Sequence, residues 1–168
     1  MNLTGKQIAE QKIVTGFEEE NIQQVGIDCR ITGINKLYGY GFIPREGKTE
    51  LPAYTAVRPT EDADQRISWA LEPGYYEITL QEGCNIPNSA MLLLKQRSSL
   101  KRCGAEIESP VFDPGFKTEH MGTFMKVNHP VRIEYMARVC QAVVYETKGE
   151  VENLYEGQFQ NDKQRANV

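Results

Sequence analysis

Short segments of strand length recur along this chain and limit it to a β-rich fold. Apolar and polar residues alternate or apolar residues cluster in them, as in half-buried and fully buried strands. The segments occupy residues 25–31, 67–71, 75–80, 90–95, 122–128, 131–135 and 138–146. Turn-forming residues separate them at 72–74, 83–85 and 128–130.

A single segment, residues 5–14, has helical character, with Thr4 placed to cap its first turn. Residues 35–66 combine several prolines with many charges and predict short strands around a long excursion. Many short strands with one short N-terminal helix predict an all-β protein, either a sandwich or a distorted jelly roll.

Length and charge restrict the class of protein. A chain of 168 residues is expected to form one domain, with residues 153–168 as a C-terminal tail. The net charge of -4 at pH 7 argues against a nucleic-acid binder, which would carry a broad basic surface. No apolar run is long enough for a bilayer, and the N-terminus lacks the apolar centre of a signal peptide, so we expect a cytoplasmic protein without a membrane partner.

The cysteines and histidines do not indicate a metal site. The four cysteines are far apart, form no C-x-x-C pair and are expected to be buried free thiols: Cys29, Cys84, Cys103 and Cys140. His120 and His129 have no ligand partner at metal-binding spacing. The zinc-deaminase signature is absent, so any deamination by this chain would proceed without zinc.

A strongly polar stretch follows the apolar run 90–94. It reads Arg97-Ser98-Ser99-Leu100-Lys101-Arg102 and offers guanidinium, ammonium and hydroxyl donors, which suit a phosphate group. Further along, Asp113-Pro114-Gly115-Phe116 places an acid at the start of a turn.

In this order and spacing the two motifs resemble those of the dCTP deaminase and dUTPase superfamily, in its deaminase-like branch. Residues 19–23 and 27–30 also match the N-terminal motif of that branch, and Asp28 there is either an anchor for the site or an ordinary strand residue. The resemblance covers most of the chain outside residues 35–66. It implies a distorted jelly roll, a homotrimer with sites built from neighbouring subunits, a deoxypyrimidine triphosphate substrate and Mg²⁺ as cofactor.

The resemblance also assigns roles to residues. Ser98 and Arg102 are expected to contact the phosphates, with Arg97 and Ser99 supporting them. Asp113 is expected to orient the water that attacks the α-phosphorus, a step that needs a carboxylate to accept a proton. Mg²⁺ would be held through the triphosphate and water, without a protein ligand. The base and sugar side of the site is assigned to Ile107, Ser109, Phe116 and Gln141.

The C-terminal tail matches a segment that, in the resembling family, closes over the bound nucleotide. Tyr155, Gly157, Phe159 and Gln160 fit its pattern, whereas Gln158 stands where the family has a lysine. The loss of this cation removes a potential contact to the triphosphate.

The family's two reactions require different residues. The deaminases carry a glutamate in the strand after the Asp-Pro-Gly turn, and alignment on Asn128 places Met125 at that position. Because a thioether cannot accept a proton, the leading hypothesis is hydrolysis of dUTP to dUMP and pyrophosphate. The alternatives are deamination of dCTP with Glu119 as base, both reactions in sequence, or a catalytically silent protein that binds nucleotides.

Overall fold

The computed structural model describes residues 1–160, and β-strands dominate its secondary structure. The helices are α1 (Gly5–Glu10) and α2 (Ser98–Arg102), with a 3₁₀ turn at Glu19–Asn21. The strands are β1 (Val14–Thr15), β2 (Ile27–Tyr38), β3 (Ala53–Ala56), β4 (Thr60–Glu61), β5 (Ile67–Leu71), β6 (Gly74–Leu80), β7 (Gly83–Asn85), β8 (Ala90–Gln96), β9 (Ala105–Glu108), β10 (Lys117–Thr118), β11 (Gly122–Val127), β12 (Val131–Glu134) and β13 (Arg138–Glu146). Within residues 1–160, no helix is long and apolar enough to cross a membrane.

The all-β prediction is confirmed, and the strands predicted from alternation lie where they were expected. Three details are wrong. Residues 83–85 form strand β7, paired on both sides, instead of a turn. The basic motif forms a second helix, α2, so α1 is not the only helix. The N-terminal helix ends at Glu10, earlier than predicted, although its Thr4 cap is present as expected.

The long strand β2 organises the largest sheet. This seven-stranded sheet has the order β8-β13-β2-β6-β11-β9, with β3 added along the second half of β2. A β-bridge between Leu92 and Phe112 brings the segment after β9 back to β8, so that the sheet nearly closes on itself. Two three-stranded sheets, β1-β7-β10 and β12-β5-β4, lie beside it.

Strand alternation explains the core. Alternate residues of β8, Ala90, Leu92 and Leu94, are at most 1% exposed, as are Ile27 and Ile31 of β2. Residues 39–52, which we call the arm, leave the sheet between β2 and β3. The arm is held as a hairpin by hydrogen bonds in both directions between the backbones of Phe42 and Glu50.

Three of the cysteines are buried free thiols, as predicted, whereas Cys103 is exposed. Cys29 and Cys140 face each other across β2 and β13. Their mutual hydrogen bond, together with burial, raises the pKa of Cys29 well above its ordinary value. Burial raises the pKa of Cys84 to about 12. These thiols are therefore held in the unreactive protonated form.

A buried ion pair ties the N-terminal segment to the sheet. The guanidinium Nε of Arg30 donates to Glu82 Oε1 at 2.7 Å, and the backbone N–H of Arg30 donates to Glu82 Oε2 at 2.7 Å. The Glu82 side chain is fully buried, at 0% exposure. Arg30 also donates to the carboxylate of Glu18 and to the carbonyl of Gly16. Three separate chain segments, around residues 16–18, 30 and 82, therefore meet at one guanidinium group.

Replacing Glu82 by glutamine is expected to destabilise the fold by about 3 kcal/mol, because breaking one side of a buried ion pair leaves an uncompensated charge. The measurement is the urea unfolding midpoint by circular dichroism. Glu10→Gln is the matched control, since Glu10 makes only a solvent-exposed pair with Lys6 at 3.8 Å. Equal midpoints for the two variants would contradict the structural role of this network.

Candidate functional site

A cavity of about 280 Å³ lies beside the Asp-Pro-Gly turn. Four of the residues assigned from sequence line it: Asp113, Phe116, Tyr155 and Phe159. Its floor includes the outward face of the large sheet, where Phe124 of β11 stands opposite Glu77 of β6. The cavity therefore combines aromatic rings with carboxylates at its wall, which suits a flat, polar-edged ligand.

The turn that carries Asp113 is fixed on both sides. The N–H of Gly115 donates to the carbonyl of Ile86 at 3.0 Å, and the N–H of Ile86 donates to the carbonyl of Phe116 at 2.9 Å. Gly115 has a φ of +87°, which favours glycine, and a Cβ there would lie 2.7 Å from Cβ of Leu154. The Asp113 side chain is exposed. A rigid turn thus presents a carboxylate to the cavity.

The C-terminal tail covers this turn in the same chain. The N–H of Tyr155 donates to the carbonyl of Pro114 at 2.8 Å, and the rings of Tyr155 and Phe116 meet edge to face at 5.3 Å. The side-chain amide of Gln160 donates to the carbonyl of Gly115 at 2.9 Å and accepts from the N–H of Lys117 at 3.0 Å. The tail residues up to 160 therefore lie where a lid would lie, and residues 161–168 of the predicted tail lie outside the described part of the chain.

Gln158, at the position of the family's lysine, contacts the arm. Its side-chain oxygen accepts from the N–H of Thr49 at 3.2 Å, and its side-chain NH₂ donates to the Thr49 carbonyl at 3.3 Å. The neighbouring arm residue Leu51 lines the cavity. The amide at 158 thus joins the tail to the arm, a contact that no feature of the sequence had indicated.

The predicted phosphate-binding residues lie at the other end of β8. Arg97 directly follows the last residue of β8 and is the N-cap of α2. The helix itself contains Ser98, Ser99 and Arg102. The Asp113 turn, by contrast, bonds to Ile86, just before β8 begins. The six steps from Ala90 to Gln96 span roughly 20 Å of strand. Within one chain, the predicted phosphate-binding residues and Asp113 are therefore not brought together.

Arg97 and Gln141 belong to a cluster of polar side chains around the buried Asp28. Arg97 Nη1 lies 3.5 Å and Arg138 Nη1 lies 3.8 Å from Oδ2 of Asp28, and Gln141 Nε2 donates to Oδ1 at 3.4 Å. Asp28 is only 1% exposed, and its Oδ2 has no hydrogen bond among the described residues. This geometry supports the interpretation of Asp28 as an anchor, because it orients the arginine that begins α2. Gln141 does not line the cavity.

Ile107 and Ser109, two of the four residues assigned to the base and sugar side, are also engaged elsewhere. The hydroxyl of Ser109 accepts from the N–H of Leu94 at 2.9 Å and donates to the carbonyl of Pro110 at 2.7 Å. Ile107 is 7% exposed and pairs with Met125 across β9 and β11. The cavity wall is formed instead by the next residues along, Pro110 and Val111.

The residues relevant to deamination lie away from the cavity. Met125 is fully buried, on the core face of β11. Glu119 is exposed and is not part of the cavity wall, whereas its neighbours Thr118 and His120 are. The structure thus gives no support to Glu119 as a base in this chain.

Sequence reasoning missed three polar residues of the cavity, Glu77, Thr118 and His120. Glu77 is half-buried and accepts a hydrogen bond from Asn35 at 3.3 Å. Nδ1 of His120 lies 3.0 Å from the carbonyl oxygen of Gln81. The alternation of β6 puts Glu77 on the outward face, but only the three-dimensional pairing of β6 with β11 shows that this face forms the cavity floor.

The carboxylates of the cavity, Glu77 and Asp113, offer oxygen ligands of the type that Mg²⁺ prefers. In the part of the chain that is described, however, no three His, Cys, Asp or Glu side chains converge as a metal site.

Comparison with known proteins agrees with the fold and the motifs. The sequence model of the dCTP deaminase-like family matches residues 3–147. The chain is 37% identical over 144 residues to the deoxyuridine 5'-triphosphate nucleotidohydrolase of Methanocaldococcus jannaschii, covering 84% of this chain and 88% of that one. It is 30% identical over 165 residues to the probable deoxyuridine 5'-triphosphate nucleotidohydrolase of Aeropyrum pernix, covering 96% and 99%.

Among solved structures, the 2'-deoxycytidine 5'-triphosphate deaminase from Agrobacterium tumefaciens superimposes with a TM-score of 0.63 at 14% identity. The likeness covers 85% of this chain, which spans 48% of that longer chain, and it supports the fold. With the family match covering most of its length and a relative 37% identical to it, this chain belongs to the dCTP deaminase-like family.

Proposed function

We propose that this chain is a dUTP diphosphatase, which hydrolyses dUTP to dUMP and pyrophosphate. The observation that carries the proposal is the Asp113 carboxylate, held by a rigid turn at an aromatic-lined cavity. The names of the two archaeal relatives, which align over most of both chains, point to the same reaction. The proposal treats residues 1–168 as one domain with a closing tail.

Asp113 would act on water. An exposed carboxylate at the cavity wall accepts a proton from a water molecule at hydrogen-bonding distance, and this water then attacks the α-phosphorus. Phe116, which follows the turn, offers a ring to the nucleoside, while Tyr155 and Phe159 of the tail limit access of bulk water. The fixed hydrogen bonds of the turn keep the carboxylate in one place, which lowers the cost of orienting the water.

The phosphates would be bound by Ser98 and Arg102 of a neighbouring copy. Within one chain these residues lie beyond the far end of β8 from Asp113. A homotrimer, in which each site combines the cavity of one subunit with α2 of the next, removes this separation. Asp28 would position the guanidinium of Arg97 at that interface.

Mg²⁺ is the proposed cofactor. When bound to the triphosphate, it would neutralise charge that develops on the leaving pyrophosphate. Asp113 and Glu77 are the carboxylates of the cavity that could hydrogen-bond its water ligands. A cytoplasmic location remains a further prediction from the sequence.

Deamination of dCTP is the second candidate, and one observation keeps it open. Although Met125 is buried and Glu119 lies outside the cavity wall, Glu77 brings a different carboxylate into the cavity from the neighbouring strand. The test is anion-exchange chromatography of dUTP and dCTP, each incubated separately with the protein and Mg²⁺. Formation of dUMP from dUTP alone supports the diphosphatase, dUTP or dUMP formed from dCTP supports a deaminase, and no product from either supports a silent binding protein.

Replacing Asp113 by asparagine is expected to lower kcat for dUTP by about a thousandfold, because the water loses its proton acceptor. Affinity for the non-hydrolysable α,β-imido analogue of dUTP should change little, since the shape of the turn is kept. Pyrophosphate release and calorimetric titration are the two measurements. Asp64→Asn, in the exposed loop between β4 and β5, is the control. Undiminished pyrophosphate release would remove Asp113 from the mechanism.

Mixed trimers test the shared site. Asp113→Asn and Arg102→Ala proteins are each expected to be inactive. Co-expression at equal amounts should restore about a quarter of wild-type activity, because that share of sites combines an intact Asp113 with an intact Arg102 from the next subunit. Separately purified proteins that are mixed without subunit exchange provide the control. No recovery in co-purified mixed trimers would mean that both residues act within one subunit.

A further inference from the structure

We propose that His120 contacts the nucleoside in the cavity through its Nε2, which acts as a hydrogen-bond acceptor. This inference rests on the proposed function and adds a substrate-contacting residue to it. His120 lines the cavity together with Asp113 and Phe116, yet it belongs to neither of the motifs that suggested the site.

The ring is oriented by a backbone carbonyl. Nδ1 of His120 lies 3.0 Å from the carbonyl oxygen of Gln81. A carbonyl oxygen can only accept, so Nδ1 carries the proton and donates it. In the neutral imidazole this fixes the tautomer and leaves Nε2 with a lone pair. The side chain therefore offers the cavity an acceptor.

The turn that carries the ring is rigid. The hydroxyl of Thr118 donates to the carbonyl of His120 at 2.9 Å, and the N–H of Met121 donates to the carbonyl of Glu82 at 2.8 Å. A Cβ at Gly83 would lie 2.4 Å from the carbonyl oxygens of Thr118 and Glu119, so this turn packs tightly against the start of β7. Because both backbone and ring are held, little conformational entropy is lost when Nε2 binds a ligand.

The ligand must supply a donor. A deoxyuridine nucleotide has two on its nucleoside part, the N3–H of the base and the 3'-hydroxyl of the sugar. Both would favour the neutral ring over its protonated form, which has no lone pair left. Deoxycytidine keeps the 3'-hydroxyl but has no N3–H, so a contact to N3 would also discriminate between the two bases. Asp113 and Glu77 provide only oxygen acceptors when ionised.

The test compares two substitutions at one position. In His120→Asn the side-chain NH₂ can keep the hydrogen bond to the Gln81 carbonyl, but no atom reaches the place of Nε2. In His120→Gln the side-chain oxygen can reach that place. We expect the KM of dUTP to rise about tenfold in the asparagine variant, as for the loss of one hydrogen bond, with kcat changed much less. The glutamine variant should recover most of the loss.

His129→Asn is the matched control. His129 is the second of the two histidines of the chain, is exposed, has its Nδ1 3.2 Å from the carbonyl of Pro130, and does not line the cavity. The KM of the His129→Asn variant for dUTP should equal that of the wild type. Thermal unfolding midpoints of all variants, measured without nucleotide, separate a lost substrate contact from a damaged turn. An unchanged KM in His120→Asn overturns the inference, and so does an equal loss in His120→Gln.

Substrate analogues identify the donor. If Nε2 binds the 3'-hydroxyl, the asparagine substitution should have no further effect on KM for the 2',3'-dideoxy analogue. If it binds N3–H, the effect should vanish with 3-methyl-dUTP instead. An undiminished effect with both analogues overturns the inference, since no nucleoside donor would then be involved.

Binding of α,β-imido-dUTP separates this inference from the proposed function. A wild type that binds the analogue but hydrolyses no dUTP would end the diphosphatase proposal. A tenfold weaker affinity of His120→Asn for the analogue would in that case still support the contact. A wild type that fails to bind the analogue at all would overturn both.

Discussion

The hydrogen bonds between the Asp113 turn and Ile86 fix the position of the candidate general base in the fold. They attach the candidate general base to the beginning of β8, while the cation-rich helix α2 begins where β8 ends. A paired strand keeps a nearly constant length. The Asp113 carboxylate and helix α2 therefore stay roughly 20 Å apart even if the loops at the two ends of β8 move. The proposed homotrimer follows from where the turn is bonded, because a triphosphate bound to α2 of the same chain would lie too far away to present its α-phosphorus to Asp113.

Features that depend on local periodicity could be predicted from the sequence. Strand β5 was predicted with its observed ends, Ile67 and Leu71, because a short run of mainly apolar residues ends there at the turn-forming residues 72–74. β7 was not, because Gly83-Cys84-Asn85 looks like a turn, and it becomes a strand only through pairing with β1 and β10 on its two sides. Helix α2 has five residues, which is too short to show a helical period. Its mostly polar sequence therefore did not predict a helix.

The residues of the candidate site also fall into two groups, those found from local motifs and those that depend on contacts with distant segments. Asp113, Phe116 and the tail were found by motif, since a turn and its acid are local in sequence. Glu77 and His120 enter the cavity only through contacts with distant segments, namely the pairing of β6 with β11 and the carbonyl of Gln81. Gln141 was assigned to the nucleoside, but it hydrogen-bonds the buried carboxylate of Asp28 instead. A polar residue in a strand gives no local sign of which partner it meets across the sheet.

The exchange of lysine for Gln158 changes what the tail can do. An ammonium group at this position would be free to neutralise phosphate charge, whereas the amide both donates to and accepts from the backbone of Thr49. Such paired amide hydrogen bonds gain little net energy, on the order of 1 kcal/mol each, but they fix the tail to the arm. The tail is thereby bonded to the segment that least resembles the family.

The backbone of β11 turns residue 125 away from the cavity. Met125 lies on the core face of β11 between Tyr76 and Ile107, while its neighbour Phe124 faces the cavity. A carboxylate at 125 would be buried without a partner, which costs several kcal/mol and raises its pKa. A deaminase base in this protein would therefore have to come from another element of the cavity, and the outward face of β6, where Glu77 lies, is the one that the fold provides.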